Sequence, residues 1–119
     1  MLVVDDAADS CEMLAKYLEL QGHAVRTAHD GMEALVAVAE FHPEIIFLDL
    51  CMPRMSGFEV CARLRENPAM KDVAIFALSG LPNTARTPDS TAAWFDGHLL
   101  KPIESELLEA LISTVTRRR

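Results

Sequence analysis

The sequence predicts an α/β protein with a doubly wound, five-stranded parallel sheet and helices on both faces. The first observation is that short apolar runs alternate with stretches of helical periodicity along all 119 residues, which is typical of such a sheet. The second is that these runs end in polar residues, among them Asp5, Asp49 and Ser79. Because the carboxyl ends of parallel strands line one edge of a sheet, where ligands bind, these residues are candidates for a site.

Three strands and two helices are predicted in the first half of the chain. The strands are Leu2 to Val4, Ala24 to Ala28 and Glu44 to Leu48. Asp9 or Ser10 is expected to cap the first helix and Asp30 the second, because short polar side chains accept hydrogen bonds from the first turn. Helical spacing predicts these inward-facing residues: Met13, Leu14, Tyr17 and Leu18, then Ala34, Leu35, Val38 and Ala39.

Two further strands and two further helices are predicted in the second half. Ser56 precedes a helix with Val60 and Leu64 inward, and Ser105 or Glu104 opens the last helix. The strands are Val73 to Leu78 and His98 to Leu100. The inward-facing residues expected in the last helix are Leu107, Leu108, Leu111, Ile112 and Val115.

The segment 80–96 has the least regular pattern. It contains Pro82 and Pro88 and little apolar periodicity, so a full helix through it would be broken. We expect a loop over 81–86, followed by a short, atypical helix that Thr87 caps and that runs to about Trp94.

Composition limits the kind of protein. The formal net charge of -7 disfavours direct binding of nucleic acid. No apolar run approaches the roughly 20 residues of a membrane span, so we expect no membrane contact. Three cysteines without metal-ligand spacing favour a reduced, cytoplasmic protein.

Residues 1–119 are interpreted as a single domain, and its ends suggest that it was cut from a longer protein. The first strand begins at residue 1 or 2, with nothing before it. The final arginines, 117–119, fit either the start of a linker or cations at the negative end of a helix dipole.

Five polar residues at predicted strand ends form one chemical set: Asp5, Asp6, Asp49, Ser79 and Lys101. Three carboxylates suit a hard divalent cation such as Mg²⁺, which prefers oxygen ligands. An ammonium and a hydroxyl suit the oxygens of a phosphoryl group. The set therefore predicts a phosphate-accepting site that also holds a divalent cation.

The segments LVVDD, IIFLDLCMPRMSG, ALSG and HLLKP, in this order, resemble the receiver domain of response regulators in two-component signalling. The resemblance covers essentially the whole chain. It implies a flavodoxin-like sheet with strand order 2-1-3-4-5. It also implies that Asp49 accepts a phosphoryl group from a histidine kinase or phosphotransfer protein. The domain would then be a signalling switch, with catalysis limited to its own phosphorylation and dephosphorylation.

The resemblance assigns a role to each site residue. Asp5, Asp6, Asp49 and the backbone carbonyl of Cys51 would hold Mg²⁺. Lys101 would pair with a phosphoryl oxygen, aimed by a cis bond before Pro102. Ser79 would donate to another oxygen, and His98 occupies the position of the aromatic residue that moves with it in the switch.

Other functions remain open at this point. A receiver-fold module that binds partners without phosphate is the main alternative, because the irregular segment before the fifth strand departs from the family's pattern. An aspartyl phosphatase is a weaker one, since such enzymes need an acid two residues after the nucleophile and Cys51 stands there. The output is expected to be a downstream protein or an attached output domain. ALSG with FDGHLLKP is similar to receivers of hybrid histidine kinases, which we rank above a fragment of a transcription factor.

Overall fold

The chain forms one five-stranded parallel sheet in the order β2-β1-β3-β4-β5. The computed structural model describes residues 1–50, 52, 55–79, 95–101 and 103–117, and only the backbone of 79, 116 and 117. The predicted loop over 81–86, the helix capped by Thr87 and the position of Trp94 lie outside this part of the chain. The predicted sheet and its strand order are confirmed.

Strands and helices alternate through the described residues. The strands are β1 (Leu2–Val4), β2 (Arg26–Ala28), β3 (Ile45–Asp49), β4 (Ala74–Ser79) and β5 (Gly97–Leu100). The helices are α1 (Ala8–Leu20), α2 (Gly31–Phe41), α3 (Gly57–Glu66) and α4 (Ser105–Arg117), with a single 3₁₀ turn at Pro68–Met70. None of the helices in these ranges is long and apolar enough to cross a membrane.

Two hydrophobic cores lie on the two faces of the sheet. In β3, Ile46 and Leu48 face the core under α2 and α3, whereas Ile45 and Phe47 face the core under α1 and α4. This alternation follows from the two-residue period of a strand. The Phe47 ring stacks on Phe76 of β4 with ring centroids 5.7 Å apart. Burial on both faces explains why the central strands are almost wholly apolar.

The register of the strands brings their carboxyl ends to one edge. Val4 of β1 lies beside Leu48 of β3, and Asp49 lies beside Leu78 of β4. In β4, Ser79 lies beside Leu100 of β5. The residues that follow these positions therefore meet along a single edge, as the sequence predicted.

The predicted caps of α2 and α3 are confirmed. The Asp30 carboxylate accepts a hydrogen bond from the Glu33 backbone at 2.7 Å, and the Ser56 hydroxyl accepts one from the Glu59 backbone at 3.3 Å. Each cap satisfies one of the amide groups that a helix leaves unpaired at its start.

The predicted cap of α1 is wrong. The helix begins at Ala8, after Ala7, and its start carries no side-chain cap. The Asp5 carboxylate accepts a hydrogen bond from the Ala7 backbone at 3.0 Å. This contact turns the chain two residues before Asp9, so Asp9 already lies in the first helical turn.

Three residues predicted to face inward are exposed: Met13, Ala39 and Leu107. In α1, Cys11, Ala15 and Leu18 form the buried side. In α2, Ala37 is buried where Ala39 was expected. In α1 and α2 the buried stripe is therefore rotated slightly from the predicted one. The edge strand β2 is also two residues shorter than predicted, beginning at Arg26.

Candidate functional site

Three strand ends bring the predicted acidic and basic residues together. Asp5 and Asp6 follow β1, Asp49 is the last residue of β3, and Lys101 follows β5. The Asp5 backbone N–H donates to the carbonyl of Ala28 at 3.0 Å, which extends the β1–β2 pairing to the start of the site. Residues as far apart in sequence as 5 and 101 thus share one pocket at the carboxyl edge of the sheet.

The three aspartates form a compact cluster. Asp5, Asp6 and Asp49 each offer a carboxylate oxygen, and these oxygens lie within 4.8 Å of one another. Asp5 and Asp49 are buried, at 1% and 5% exposure, whereas Asp6 is exposed. Like charges this close repel one another, so the cluster requires positive charge.

Lys101 supplies part of that charge. Its Nζ donates to Asp5 Oδ2 at 2.8 Å and lies 3.7 Å from Asp49 Oδ2. Burial lowers the pKa of the Lys101 ammonium, but the hydrogen bond to Asp5 and the charge of Asp49 outweigh burial and raise that pKa above its usual value. Lys101 is therefore a fixed cation between two buried carboxylates.

Asp5 stays ionised despite its burial. Burial raises the pKa of the Asp5 carboxyl, but hydrogen bonds from Lys101 and from the Ala7 backbone outweigh it, so that the pKa lies below its usual value. A buried carboxylate held in this way is a ready ligand for a cation at neutral pH.

Gly57 lets α3 approach the backbone beside Asp49. A Cβ atom on Gly57 would lie 2.8 Å from Leu50 Cα and closer still to the Asp49 carbonyl oxygen. The Gly57 N–H donates to the Leu50 carbonyl at 3.2 Å, and the Leu50 N–H donates to Leu78 at 3.0 Å. The residue after Asp49 is thus held by both α3 and β4, which fixes the backbone that carries Asp49.

Of the roles predicted for Ser79 and Cys51, the structure describes only the backbone position of Ser79. Ser79 ends β4 at the same edge as Asp49, but its side chain lies outside the described part of the chain. The Cys51 carbonyl and the bond before Pro102 also lie outside it. Their assigned roles stay predictions.

His98, the predicted switch residue, packs against an aromatic neighbour. Its ring centroid lies 5.5 Å from that of Phe95, which in turn meets Phe58 edge-on at 5.9 Å. Within the described residues, His98 Nε2 is buried without a hydrogen-bond partner. Burial lowers the pKa of His98 from a usual value of about 6.5, so the ring is neutral at pH 7.

Sequence reasoning missed two features around the site. His29 Nδ1 lies 3.2 Å from the backbone carbonyl of Asp5. The sequence signal that could have identified His29 is its place directly after the second strand, at the edge of the sheet where the site lies. Arg65 Nη2 also pairs with Asp96 Oδ2 at 3.0 Å, and the same oxygen accepts from the Ile75 backbone at 2.8 Å. Nothing in the sequence indicates that α3, β4 and β5 are joined by this pair.

The donor set fits a magnesium ion. Mg²⁺ binds oxygen ligands at about 2.1 Å, so opposite ligands are about 4.2 Å apart. The three carboxylate oxygens lie within 4.8 Å of one another, which is close to this largest distance between two ligands of one ion. Because Asp6 is exposed, one side of the cluster is open to water and to an incoming phosphoryl group.

The chain belongs to the response regulator receiver domain family, whose sequence pattern matches residues 1–113. Among its relatives, Response regulator MprA of Mycobacterium avium is 36% identical over 118 residues, which is 99% of this chain and 51% of that protein. The chain therefore spans about half the length of the curated relatives it matches. It is a signalling domain of the response-regulator type.

Solved structures agree with this assignment. The receiver domain of NtrX from Brucella abortus superposes with a TM-score of 0.86 at 26% identity, covering 99% of this chain and 98% of that one. The response regulator TrrA from Thermotoga maritima, solved in complex with Mg²⁺ and BeF, gives a TM-score of 0.85 at 28% identity and covers 96% of both chains.

Proposed function

We propose that Asp49 is the phosphoacceptor of this receiver domain and that its phosphorylation depends on Mg²⁺. The observation that carries the proposal is the placement of Asp49, buried in one cluster with Asp5 and Asp6 and 3.7 Å from Lys101. The complex of TrrA with Mg²⁺ and BeF supports the same chemistry. No observation favours the phosphate-independent module, since the acidic cluster is intact.

The residues that would hold Mg²⁺ are Asp5, Asp6 and Asp49, with the Cys51 carbonyl as a further ligand. When bound, the ion neutralises carboxylate charge and stabilises negative charge on the phosphoryl oxygens. Asp5 is held in the ionised form by Lys101, so it does not need to lose a proton before it binds the ion.

The chemical step is the transfer of a phosphoryl group to Asp49. A carboxylate oxygen attacks the phosphorus of phosphohistidine, a P–O bond forms and the P–N bond breaks. The bonding electrons return to the imidazole nitrogen, so the donor leaves as histidine and Asp49 becomes an acyl phosphate. Lys101, already beside Asp49, pairs with a phosphoryl oxygen as a point charge. Ser79 donates a hydrogen bond to another oxygen.

The response to phosphorylation is carried by the end of the sheet that includes β4 and β5. Ser79 and His98 lie on these neighbouring strands, and the His98 ring packs on Phe95, which precedes β5. Movement of Ser79 toward the phosphoryl group shifts the balance between two arrangements of this region. The changed surface then meets a downstream protein or an attached output domain.

The setting of the domain is also proposed. The donor is a histidine kinase or a phosphotransfer protein, and the domain works in the cytoplasm as one part of a longer protein. The span of about half of its relatives supports a longer protein. Attachment to a hybrid histidine kinase stays a prediction from the sequence.

Titration calorimetry with Mg²⁺ and then beryllofluoride, which mimics a phosphoryl group, tests the proposal. The wild-type domain should bind Mg²⁺, and beryllofluoride should bind only when Mg²⁺ is present. Asp49→Asn keeps the size of the side chain but removes its charge, so it should abolish the beryllofluoride response.

Asp72→Asn is the matched control, because it makes the same charge change at an exposed position before β4, away from the site. It should bind both ligands as the wild type does. Beryllofluoride binding that survives in Asp49→Asn, or that does not need Mg²⁺, would contradict the proposal.

A further inference from the structure

The turn between β2 and α2, residues 29–30, contacts the backbone that carries the acidic cluster. His29 Nδ1 lies 3.2 Å from the Asp5 carbonyl oxygen. A carbonyl oxygen only accepts hydrogen bonds, so Nδ1 must carry the proton and donate. On its other side, the Asp5 N–H donates to Ala28 at 3.0 Å. Two consecutive residues, Ala28 and His29, therefore hold the backbone of Asp5 at both its N–H and its C=O.

The carbonyl of Asp5 belongs to the same planar peptide unit as the N–H of Asp6. A hydrogen bond that fixes this carbonyl also fixes the direction in which the chain enters Asp6. Asp6 is exposed, so packing does little to restrain its side chain. Among the described contacts, the hydrogen bond from His29 to the Asp5 carbonyl is therefore the one that sets the backbone direction at Asp6, the exposed member of the cluster.

The same turn is held firmly at its other end. Asp30 caps α2 through the Glu33 backbone at 2.7 Å. Gly31 lies against Met55, such that a Cβ atom on Gly31 would come within 2.8 Å of the Met55 Sδ. Met55 precedes α3 in the segment that follows Asp49. The turn that carries His29 is therefore followed by a capped helix that packs against Met55.

We propose that His29 is a positioning residue for the cation site. Its hydrogen bond to the Asp5 carbonyl fixes the backbone there and so sets the orientation of the Asp5 and Asp6 side chains. This inference rests on the proposed function, in which those carboxylates hold Mg²⁺. Hydrogen bonds that orient the ligands of a metal commonly change its affinity by about tenfold or more when removed. The His29 contact acts on the backbone that carries two ligands at once.

A pair of variants separates the hydrogen bond from the bulk of the ring. Asn places an N–H donor at the same distance from Cα as Nδ1, whereas Leu places a methyl group there. In metal-free protein, His29→Leu should speed hydrogen exchange at the Ala7 amide, which is bonded to Asp5 Oδ1. It should also weaken Mg²⁺ binding by about tenfold. His29→Asn should match the wild type in both measurements.

The outcomes distinguish this inference from the proposed function. Wild-type Mg²⁺ affinity in His29→Leu, or equal losses in the Leu and Asn variants, would overturn the positioning role and leave the proposed function standing. If the wild type bound no Mg²⁺, the proposed function would fail. The role of His29 in a cation site would fail with it, and faster exchange at the Ala7 amide in His29→Leu would show only that His29 orders the backbone of Asp5.

Discussion

At the scale of single residues, the site depends on one cation placed between two buried carboxylates. Lys101 holds Asp5 at 2.8 Å and Asp49 at 3.7 Å, and all three side chains are largely shielded from water. Removing one charged member of such a buried group leaves the remaining charges buried without a counter-charge. This costs more stability than losing an exposed ion pair.

Replacing Lys101 by Met should lower the free energy of unfolding by about 2 kcal/mol at pH 7 without Mg²⁺, because two buried carboxylates then lack a counter-charge. Lys71→Met, an exposed change of the same kind, should stay within about 0.5 kcal/mol of the wild type. Urea denaturation of the three proteins provides the comparison.

The direction in which the stability lost in Lys101→Met changes with pH follows from the shifted pKa values of Asp5 and Lys101. The pKa of Asp5 is lowered in the folded protein, so its contribution to stability is present above the unfolded value of about 3.9 and is lost as the pH falls through the folded pKa. The pKa of Lys101 is raised, so its contribution is present below about 10.4 and is lost as the pH rises through the folded pKa. The penalty of Lys101→Met should therefore shrink toward low pH. An equal penalty in strong acid and at neutral pH would contradict this account.

At the residue scale the sequence identified Asp5, Asp6, Asp49 and Lys101, and the structure brings all four together. These residues could be predicted because each one ends an apolar strand or lies within two residues after it. His29 was not predicted, although it also follows a strand, because a lone histidine carries no pattern that reveals a contact to a backbone carbonyl.

At the scale of elements, the approach of α3 to the end of β3 shapes the surroundings of Asp49. Gly57 is required there because its missing side chain leaves room for the backbone of Asp49 and Leu50. The approach is held by the hydrogen bond from Gly57 to the Leu50 carbonyl and by burial of Val60 and Leu64 in the core under the sheet.

Gly57→Ala should lower the free energy of unfolding by about 2 kcal/mol, because the new Cβ atom meets backbone that has little freedom to move. It should also weaken Mg²⁺ binding, since relief of the overlap displaces Asp49. Thermal unfolding and Mg²⁺ titration measure the two effects.

Gly22→Ala is the contrasting variant. Gly22 has a φ of 96°, and no atom lies within 4 Å of the place that an added methyl group would take, so its replacement strains the backbone without a clash. It should cost about 1 kcal/mol and leave Mg²⁺ affinity unchanged. If both variants weakened Mg²⁺ binding equally, the close approach of α3 would not be what positions Asp49.

The order and type of the elements and the caps of α2 and α3 could be predicted from the sequence, whereas the rotation of the helices and the start of α1 could not. The start of α1 was misplaced because the Asp5 side chain bonds the Ala7 backbone, a contact that competes with capping by Asp9. Met13 was expected inside because it is apolar, yet it is 75% exposed while Cys11 and Ala15 pack on the sheet. Residue type alone does not distinguish these arrangements.

At the scale of the whole molecule, the site depends on the parallel topology. Asp5 and Lys101 are 96 positions apart, and their side chains meet because β1 and β5 end at the same edge of one sheet. The Arg65–Asp96 pair ties α3 to the start of β5 at the opposite end of that strand, and Asp96 also accepts from the Ile75 backbone. The strand that carries Lys101 is thus held at both of its ends.

The topology also links the site to the region that would respond to it. Ser79 and His98 lie on β4 and β5, the strands beside and beyond the one that ends in Asp49. His98 is neutral and packed against Phe95, so it contributes shape rather than charge to this region. The proposed switch residues thus lie on the two strands between Asp49 and the far edge of the sheet.

The central claim is that Asp49 accepts a phosphoryl group with the help of Mg²⁺. The most direct measurement is to treat the domain with acetyl phosphate, reduce the acyl phosphate with borohydride and locate the reduced residue by peptide mass spectrometry. Reduction at Asp49 that requires Mg²⁺ and disappears with a chelator is the predicted result. Reduction at another carboxylate, or labelling of Asp49 that a chelator leaves unchanged, would contradict the account.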